Sequence, residues 1–460
     1  MAQSIVRIGS TGEDVRYLQQ SLTKLGYNPG PIDGIFGSKT ETAVKSFQKA
    51  KGLVVDGIVG NNTWTAIGKA LQIPPTSTHP LLKRGSTGAQ VTYLQQSLTK
   101  LGYNPGPIDG FFGSKTETAV RSFQKSKGLV VDGIVGISTW AAIDKALKLL
   151  LTIKDYFPFK ANVKYTYAGI GNEYASYNVL VDYLVGTRIQ LRYNNGGTEV
   201  VKVLENKDGK LTILLSRAEC YYRENLTQSP SNTAEILLKE PLIKGTTWTL
   251  LDNRKRYISN VDVEVTTPLG KFKALEVTTK SISDKVIDYY ARDIGLVKTV
   301  FILNGGQISS SLSKIETNVS LTQSLEFYYP NIDGVTLNFV DKQLNFKTND
   351  ITRIKIEAAY KELPNGNIGK VLSPNAKIKS LYLNKDNMVY VDFTKELVSE
   401  MNAGAGFESM ILQCITNTLG RYYGVTKVYL TVEGSPYSSG HIIMKKGEPF
   451  IVNLTNSVKL

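Results

Sequence analysis

Leu25-Gly26-Tyr27-Asn28-Pro29-Gly30-Pro31-Ile32-Asp33-Gly34 is a phrase that returns letter for letter from Leu101 to Gly110. The likeness extends outward, so that Gly9 to Gly60 is repeated from Gly85 to Gly136 with a handful of substitutions. A near-duplicate at fixed spacing marks an array that presents one surface twice. Within the phrase, prolines fix φ and glycines permit positive φ, so the loop is held in one shape. Upstream, Val15, Leu18, Leu22 and Leu25 fall at helical spacing, with Ser10 and Thr11 as candidate caps and Gly26 as the stop. Downstream, Ser38 and Glu41 have capping-box spacing and open a helix that buries Ala43, Val44 and Phe47 and ends at Gly52. A second loop, Val55 to Gly60, leads to a short helix with Trp64 and Ile67, which completes a three-helix module. The second copy repeats this at Val91–Leu101, Ser114–Lys127 and Thr139–Ile143.

Between the copies, Gln72 to Pro80 is rich in proline and reads as a semi-extended spacer, so the modules are expected to be tethered, not fused. The run Leu-Gly-Tyr, Ile-Asp-Gly-x-Phe-Gly, Thr-x-x-Ala-Val-x-x-Phe-Gln, Gly-Leu-Val-Val-Asp-Gly-x-Val-Gly and Thr-Trp resembles the peptidoglycan-binding-domain family of three-helix modules in nearly every position of both copies. That resemblance implies binding of bacterial wall polymer by a shallow surface of loops and the neighbouring helix. Tyr27, Asn28 and Asp33, with their equivalents Tyr103, Asn104 and Asp109, are the candidate contacts, because a fixed aromatic face beside amide and carboxylate groups suits a sugar-peptide ligand. The competing reading makes Asp33 and Gly34 mere closers of the turn, and Phe36, Phe47 and Trp64 core.

The chain has 460 residues, too many for one core, and 42% hydrophobic residues, which places it among globular proteins. Its net charge of +14 suits a polyanion. The cations are interleaved with acids, as in Glu13-Asp14-Val15-Arg16, and no stacking motif or basic stripe accompanies them, so an anionic wall is favoured over nucleic acid. The N-terminus enters the first repeat at once without signal-peptide features, so the expectation is either a lost signal or another route to the wall, such as synthesis in a sporulating mother cell. No apolar run reaches the length of a membrane span.

After Lys148 the pattern changes. From about residue 155 to 322, alternating Tyr-, Thr- and Val-rich segments are divided by turn signals such as Asn194-Asn195-Gly196-Gly197 and Lys207-Asp208-Gly209, which predicts an antiparallel β domain. Its Thr267-to-Val277 and Tyr289-to-Lys298 stretches are similar to phrases in bacterial envelope β domains of unassigned activity. Tyr165, Tyr167, Tyr174, Tyr177, Tyr183 and Tyr193 could line a ligand face, although strand packing is the simpler reading. Farther on, Val335–Val340 and Leu344–Lys347 read as two strands, Ile351–Leu363 as a helix, Ile378–Leu383 with Met388–Phe393 as a hairpin, Phe407–Leu419 as a helix and Val425–Val432 as a strand. Val391-Asp392-Phe393-Thr394-Lys395-Glu396-Leu397, Ile415-Thr416-Asn417-Thr418-Leu419 and Gly424-Val425-Thr426-Lys427-Val428 resemble the GerMN domain of sporulation and spore-germination proteins. That family implies no established reaction. Glu408, Asn417 and Thr418 read as exposed enough to meet a protein partner, with capping and helix-to-strand hydrogen bonding as the alternative.

The expected architecture is therefore multidomain: three-helix modules at 4–72 and 81–149 about a linker at 73–80, an antiparallel β domain at 155–322 and a GerMN-like α+β domain at 324–458. Neither a cofactor nor a metal is called for, since only His79 and His441 are present and zinc sites need more ligands. Cys220 and Cys414 read as buried thiols, and a Cys414–His441 pair would need the terminal domain to bring them together. The expected function is non-catalytic wall or spore-envelope binding. A peptidoglycan hydrolase or hydrolase activator working through two unrecognised carboxylates is the alternative, because such a pair leaves no sequence signature.

Overall fold

The computed structural model describes residues 5–71, 79–148, 150–281, 284–303 and 306–460. The expected spacer falls largely on residues 72–78, outside the described residues. The chain divides into two compact units, residues 1–151 and 152–460.

The first unit holds helices α1 (Glu13–Lys24), α2 (Ser38–Ala50), α3 (Asn61–Ala70), α4 (Ala89–Lys100), α5 (Ser114–Ser126) and α6 (Ile137–Lys148). Each module has its own core: Val15, Leu18 and Leu22 of α1 meet Phe36, Phe47, Trp64 and Ile67, and the second copy repeats this with Val91, Leu94, Leu98, Phe112, Phe123, Trp140 and Ile143. Cores this small are marginal, so each aromatic matters, at about 3–5 kcal/mol for truncation to alanine. The expected side-chain caps do not form. Gly12 and Gly37 are the N-caps of α1 and α2. The reason is that Ser10 Oγ already accepts from Arg7 N–H and Thr11 is bridged to Ile35, so both are committed to holding the loop.

The modules also touch. Glu13 at the start of α1 is 4% exposed and lies on Gly136 of the second module, where an added Cβ would come within 2.7 Å of Glu13 Cγ. Gly60, the equivalent in the first module, faces open space. Burial first, and then the hydrogen bond and charge of Asp132, push the Glu13 carboxyl up to about 8, against the opposing charge of Arg16. A carboxyl raised on folding favours the folded contact while it is protonated. The contact is therefore strongest below the usual glutamate range, weakens as pH rises and is fully weakened above about 8. Thermal midpoints of the 1–151 unit should fall from pH 5 to pH 9 by the equivalent of at most about 1.4 kcal/mol per pH unit. Glu13→Gln should flatten that profile, and an unchanged slope would contradict the assignment.

The second unit opens with the short helix α7 (Ile153–Tyr156), then strands β1 (Val163–Ile170), β2 (Tyr177–Val185), β3 (Arg188–Asn194), β4 (Glu199–Lys207), β5 (Lys210–Ala218) and β6 (Glu235–Lys239). It continues through β7 (Thr247–Thr249), β8 (Lys255–Thr267), β9 (Gly270–Lys280), β10 (Lys285–Ala291), β11 (Gly295–Leu303) and β12 (Gly306–Thr317). These form one antiparallel sheet in the order β6-β5-β4-β3-β2-β1-β12-β11-β10-β9-β8-β7. Its two edges approach: Trp248 Nε1 donates to Ile236 O at 3.0 Å, and Arg256 donates to the same carbonyl and to Glu235. The result is nearly a barrel, with the edge problem of open sheets relieved by side chains.

The α+β part adds β13 (Leu321–Pro330), β14 (Leu337–Phe346), α8 (Thr352–Lys361), β15 (Ile378–Leu383), β16 (Val389–Phe393), α9 (Glu396–Ser399), α10 (Ala405–Tyr423) and β17 (Lys427–Val432). The hairpin β15–β16 is antiparallel as expected, and β17 runs parallel to β16. The two strands expected at 335–347 are one, β14. Asp341, Lys342 and Gln343 looked like a break, but they pair with Glu326, Leu325 and Ser324, and the Lys342 amine donates to the carbonyls of Ala359 and Glu362 at the end of α8. A single core runs through both parts of the unit, joining Val201, Val203 and Tyr222 to Phe327, Tyr360, Ile411 and Val428.

A buried charge cluster fastens the same junction. Asp182 and Arg192 form an ion pair at 3.0 Å with both side chains 1% exposed. Arg223, from the β5–β6 connection, lies 3.8 Å from Asp182, stacks over Tyr183 and donates to the carbonyls of Lys347 and Asp350.

Candidate functional site

The loops that carry the expected contacts are built on a buried glutamine. Gln19 of α1 is 1% exposed. Its Nε2 donates to Asp33 Oδ1 at 3.0 Å, to Ile35 O at 3.1 Å and to Thr40 Oγ1 at 3.2 Å, while its Oε1 accepts from Gly34 N–H at 2.9 Å. Thr40 in turn donates to Pro29 O, tying the Tyr27-Asn28-Pro29 arm to the Asp33 turn. All of the amide's groups find partners, so the loop is rigid.

This device occurs four times, on Gln19, Gln48, Gln95 and Gln124, with Asp56, Asp109 and Asp132 in the place of Asp33. Each three-helix module is thus a pair of helix-and-loop units. The signal was present in the sequence as Asp-Gly-x-x-Gly-x-x-Thr at 33–40, 56–63, 109–116 and 132–139. It was missed because the long repeat between modules conceals the short one within each.

Asp33 is exposed, and its Oδ1 also accepts from Ile35 N–H at 2.9 Å. The Ile35 N–H and then Gln19 hold its carboxyl below the usual range, so it is a carboxylate at neutral pH. Asp109 is held low by Gln95 and then by Phe111 N–H. Turn closure therefore uses one oxygen, and among the described residues Oδ2 carries no hydrogen bond. Asn28 Oδ1 accepts from Gly30 N–H and Asn104 Oδ1 from Gly106 N–H, and among the described residues neither amide NH2 makes a hydrogen bond.

Tyr27 is half-buried edge-on against Phe47, with ring centroids 5.6 Å apart, and Tyr103 repeats this on Phe123. Tyr103 OH is 2.5 Å from Ser126 Oγ, whereas the first module has Ala50 at that place. Exposed apolar side chains flank the turns: Ile32 and Ile35 in the first module, Ile108 and Phe111 in the second.

The copies differ where charge would count. Arg16 lies against Gly34, where an added Cβ would be 2.6 Å from its Nε, but Thr92 occupies that place beside Gly110. Arg16→Thr should weaken binding of an anionic polymer to the first module roughly threefold, in the range of an exposed ion pair. Thr92→Arg should strengthen the second module by a similar factor. Titration of separate modules would read both, and equal affinities throughout would remove Arg16 from the surface.

The α+β part holds a second polar constellation. Glu408, Asn417 and Thr418, read from sequence as exposed, are 3%, 0% and 1% exposed. Helix α10 is covered along that face: Tyr328 N–H donates to Thr418 Oγ1, and Asn417 bridges both backbone groups of Asn453, so the hydrogen-bonding alternative is the one observed. Glu408 accepts from Tyr437 OH at 2.8 Å and Ser439 Oγ at 2.5 Å, and its Oε2 lies 2.8 Å from His441 Nδ1. Burial works to raise this carboxyl, but Ser439, His441 and Tyr437 together hold it below the usual range. His441 is thus oriented by Glu408. Cys414 is 0% exposed, and burial pushes its thiol well up, as it also raises Cys220. Thiols held protonated are poor nucleophiles.

Among the described residues no group of His, Cys, Asp and Glu is arranged to hold a metal ion, and no helix is long and apolar enough to cross a membrane.

Comparison with known proteins follows the same division. Residues 11–67 and 87–143 match the peptidoglycan binding domain family, and residues 326–438 match the family described as sporulation and spore germination. The chain is 32% identical over 167 residues to the N-acetylmuramoyl-L-alanine amidase CwlL of Bacillus licheniformis, covering 32% of this chain and 46% of that enzyme. It is 39% identical over 71 residues to a spore cortex-lytic enzyme of Bacillus cereus, covering 15% of this chain and 27% of the enzyme. The chain therefore spans under half the length of these relatives, through the binding region. Among solved structures, the SleB N-terminal domain is 40% identical, with 15% of this chain and 93% of that chain covered and a TM-score of 0.15. The first GerMN domain of the Bacillus subtilis sporulation protein GerM is 23% identical, with 27% and 95% covered and a TM-score of 0.22.

Proposed function

We propose that this chain is a non-catalytic peptidoglycan-binding protein of the wall or spore envelope. Its tandem modules anchor the 152–460 unit, whose GerMN-like part meets a protein partner. The observation that carries the reading is the double match to a peptidoglycan binding domain at 11–67 and 87–143. The match at 326–438 to a sporulation and spore-germination family supports the spore setting. In each module the ligand would be held by Tyr27, Asn28 and Asp33, or by Tyr103, Asn104 and Asp109. The free amide NH2 of Asn28 donates to carbonyl or hydroxyl oxygens, the free Asp33 oxygen accepts from sugar hydroxyls or peptide N–H groups, and the Tyr27 face receives apolar edges. The rigid loops reduce the ordering cost of binding.

Incubation with labelled sacculi, cortex and vegetative walls side by side, tests the reading. Pelleting with the wall and no release of soluble muropeptides is the expected result. Release would favour the hydrolase alternative, and failure to pellet with any wall material would refute the proposal.

A further inference from the structure

The two modules carry the same turn and use it differently. Gly52-Leu53-Val54-Val55-Asp56-Gly57-Ile58-Val59-Gly60 of the first returns letter for letter at 128–136 of the second, and each copy feeds the N-terminus of a helix, α3 or α6. In the second module this seat is filled. The Glu13 side chain, 4% exposed, lies over Gly136 with its carboxyl hydrogen-bonded to Asp132, and Gly136 and Ser138 are buried. Glu13 Oε2 and Ser138 Oγ are both buried without a hydrogen-bond partner among the described residues, so the carboxyl leaves part of the seat's bonding capacity unused.

In the first module the same seat is open. Asp56, Asn61 and Asn62 are exposed, and a Cβ added at Gly60 would meet no atom within 4 Å. Asp56 Oδ1 closes the turn by accepting from Gln48 Nε2 and Ile58 N–H, both at 2.8 Å, which leaves Oδ2 without a hydrogen bond among the described residues. Asn61 and Asn62 replace Ile137 and Ser138, and their side-chain amides are likewise unbonded among the described residues. The leading N–H groups of α3 have no carbonyl of their own helix to meet. An acceptor at Asp56 and donors at the start of α3 thus flank a glycine whose missing Cβ leaves room for a methylene stem.

The charges nearby select against ions. Lys45 lies against Gly57, is paired with Glu41 at 2.9 Å and also acts on Asp56, so no unpaired cation awaits a carboxylate there, and Asp56 repels one. An ammonium would suit Asp56, but it would bring positive charge to a helix N-terminus and leave the donors of α3 without an acceptor. A carboxamide serves both ends, its NH2 donating to Asp56 Oδ2 and its carbonyl accepting from Asn62 or the α3 N–H groups. It also keeps the planar shape and stem of the Glu13 carboxyl. We propose that the 56–62 turn of the first module is a binding site for a side-chain carboxamide on a two-methylene stem, as a glutaminyl residue of a peptide presents it, seated as Glu13 is seated on the second module. The site is separate from the Asp33 turn, so it stands or falls independently of wall binding there.

Full-length protein with isotope-labelled glycine, titrated with N-acetylglutamine methylamide and followed by NMR at the Gly57 and Gly60 amides, tests the assignment. Saturating shifts with a Kd on the order of 1 mM are expected for a ligand of this size, with the N-acetylglutamate and N-acetyllysine methylamides at least about tenfold weaker. Gly136, whose seat is already filled, should not respond. Gly60→Ala puts a methyl group where the Glu13 stem lies in the second module, yet meets no atom of its own fold. Read at Gly57, it should weaken the amide at least about tenfold in protein that melts as the parent does. Asp56→Asn keeps the turn-closing oxygen and exchanges the free acceptor for a donor, and should do the same. No saturable shift up to about 10 mM, either charged analogue bound as tightly, equal shifts at Gly136, or undiminished binding by folded Gly60→Ala would each overturn the proposal.

Discussion

Asp182→Ala is expected to lower the unfolding free energy of the 152–460 unit by about 3–5 kcal/mol, the cost of leaving a buried charge without its counterion. Asp182 sits between two guanidiniums, with Arg192 Nη2 at 3.0 Å and Arg223 Nε at 3.8 Å, and all three side chains are 1% exposed. Arg192 would keep Glu199 at 2.6 Å and the carbonyls of Cys220 and Tyr222. Arg223 would keep only carbonyl and hydroxyl partners, at Asp182, Lys347, Asp350, Tyr183 and Thr352, so the penalty falls mainly there. Because Arg223 joins the sheet to the α+β part, the loss should loosen both together. Adding Arg223→Met to Asp182→Ala removes the one charge left unpaired and should recover part of the stability. Urea midpoints read both variants, and a single-variant loss below about 1 kcal/mol would show that the cluster is solvated rather than sealed.

Deletion of residues 80–148 should weaken retention on sacculi at least about tenfold. A second site on the same chain binds at an effective concentration near millimolar, which turns a weak single contact into a useful tandem. The first module has a complete core of its own and is expected to survive the deletion folded. The Glu13–Gly136 contact adds a condition to the argument. If the modules are held together at one separation, the gain depends on whether that separation matches the spacing of sites on the polymer. Glu13→Lys, which breaks the contact without removing a module, should therefore change retention less than the deletion does. Equal retention by one module and by two would remove avidity from the account.

Legibility in the sequence followed the range of the forces involved. Helices α1, α2, α4 and α5 were readable because Val15, Leu18 and Leu22 or Ala43, Val44 and Phe47 repeat with the helical period, a local property. The antiparallel sheet was readable from alternation and turn residues, and the β15–β16 hairpin from the paired strand patterns at 378–383 and 388–393. Break signals failed at Asp341 to Gln343, where pairing with β13 and the seat of Lys342 at the end of α8 outweighed local polarity. The candidate contacts Tyr27, Asn28 and Asp33 were legible as a fixed loop. The division of Asp33 between turn and solvent was not, because it depends on Gln19 in another element.

Residue order alone determined the tandem modules, the rigid Pro-Gly loops and the succession of helical, strand-rich and mixed regions, since periodicity and turn chemistry act between near neighbours in the chain. Tertiary structure decided which polar groups are covered. Glu408 is closed over by Tyr437, Ser439 and His441, Glu13 is buried against Gly136, and the tyrosines of β1, β2, β3 and β10 face one chamber. Burial, and with it the charge a side chain carries, is set by residues distant in sequence that meet only when the chain has packed.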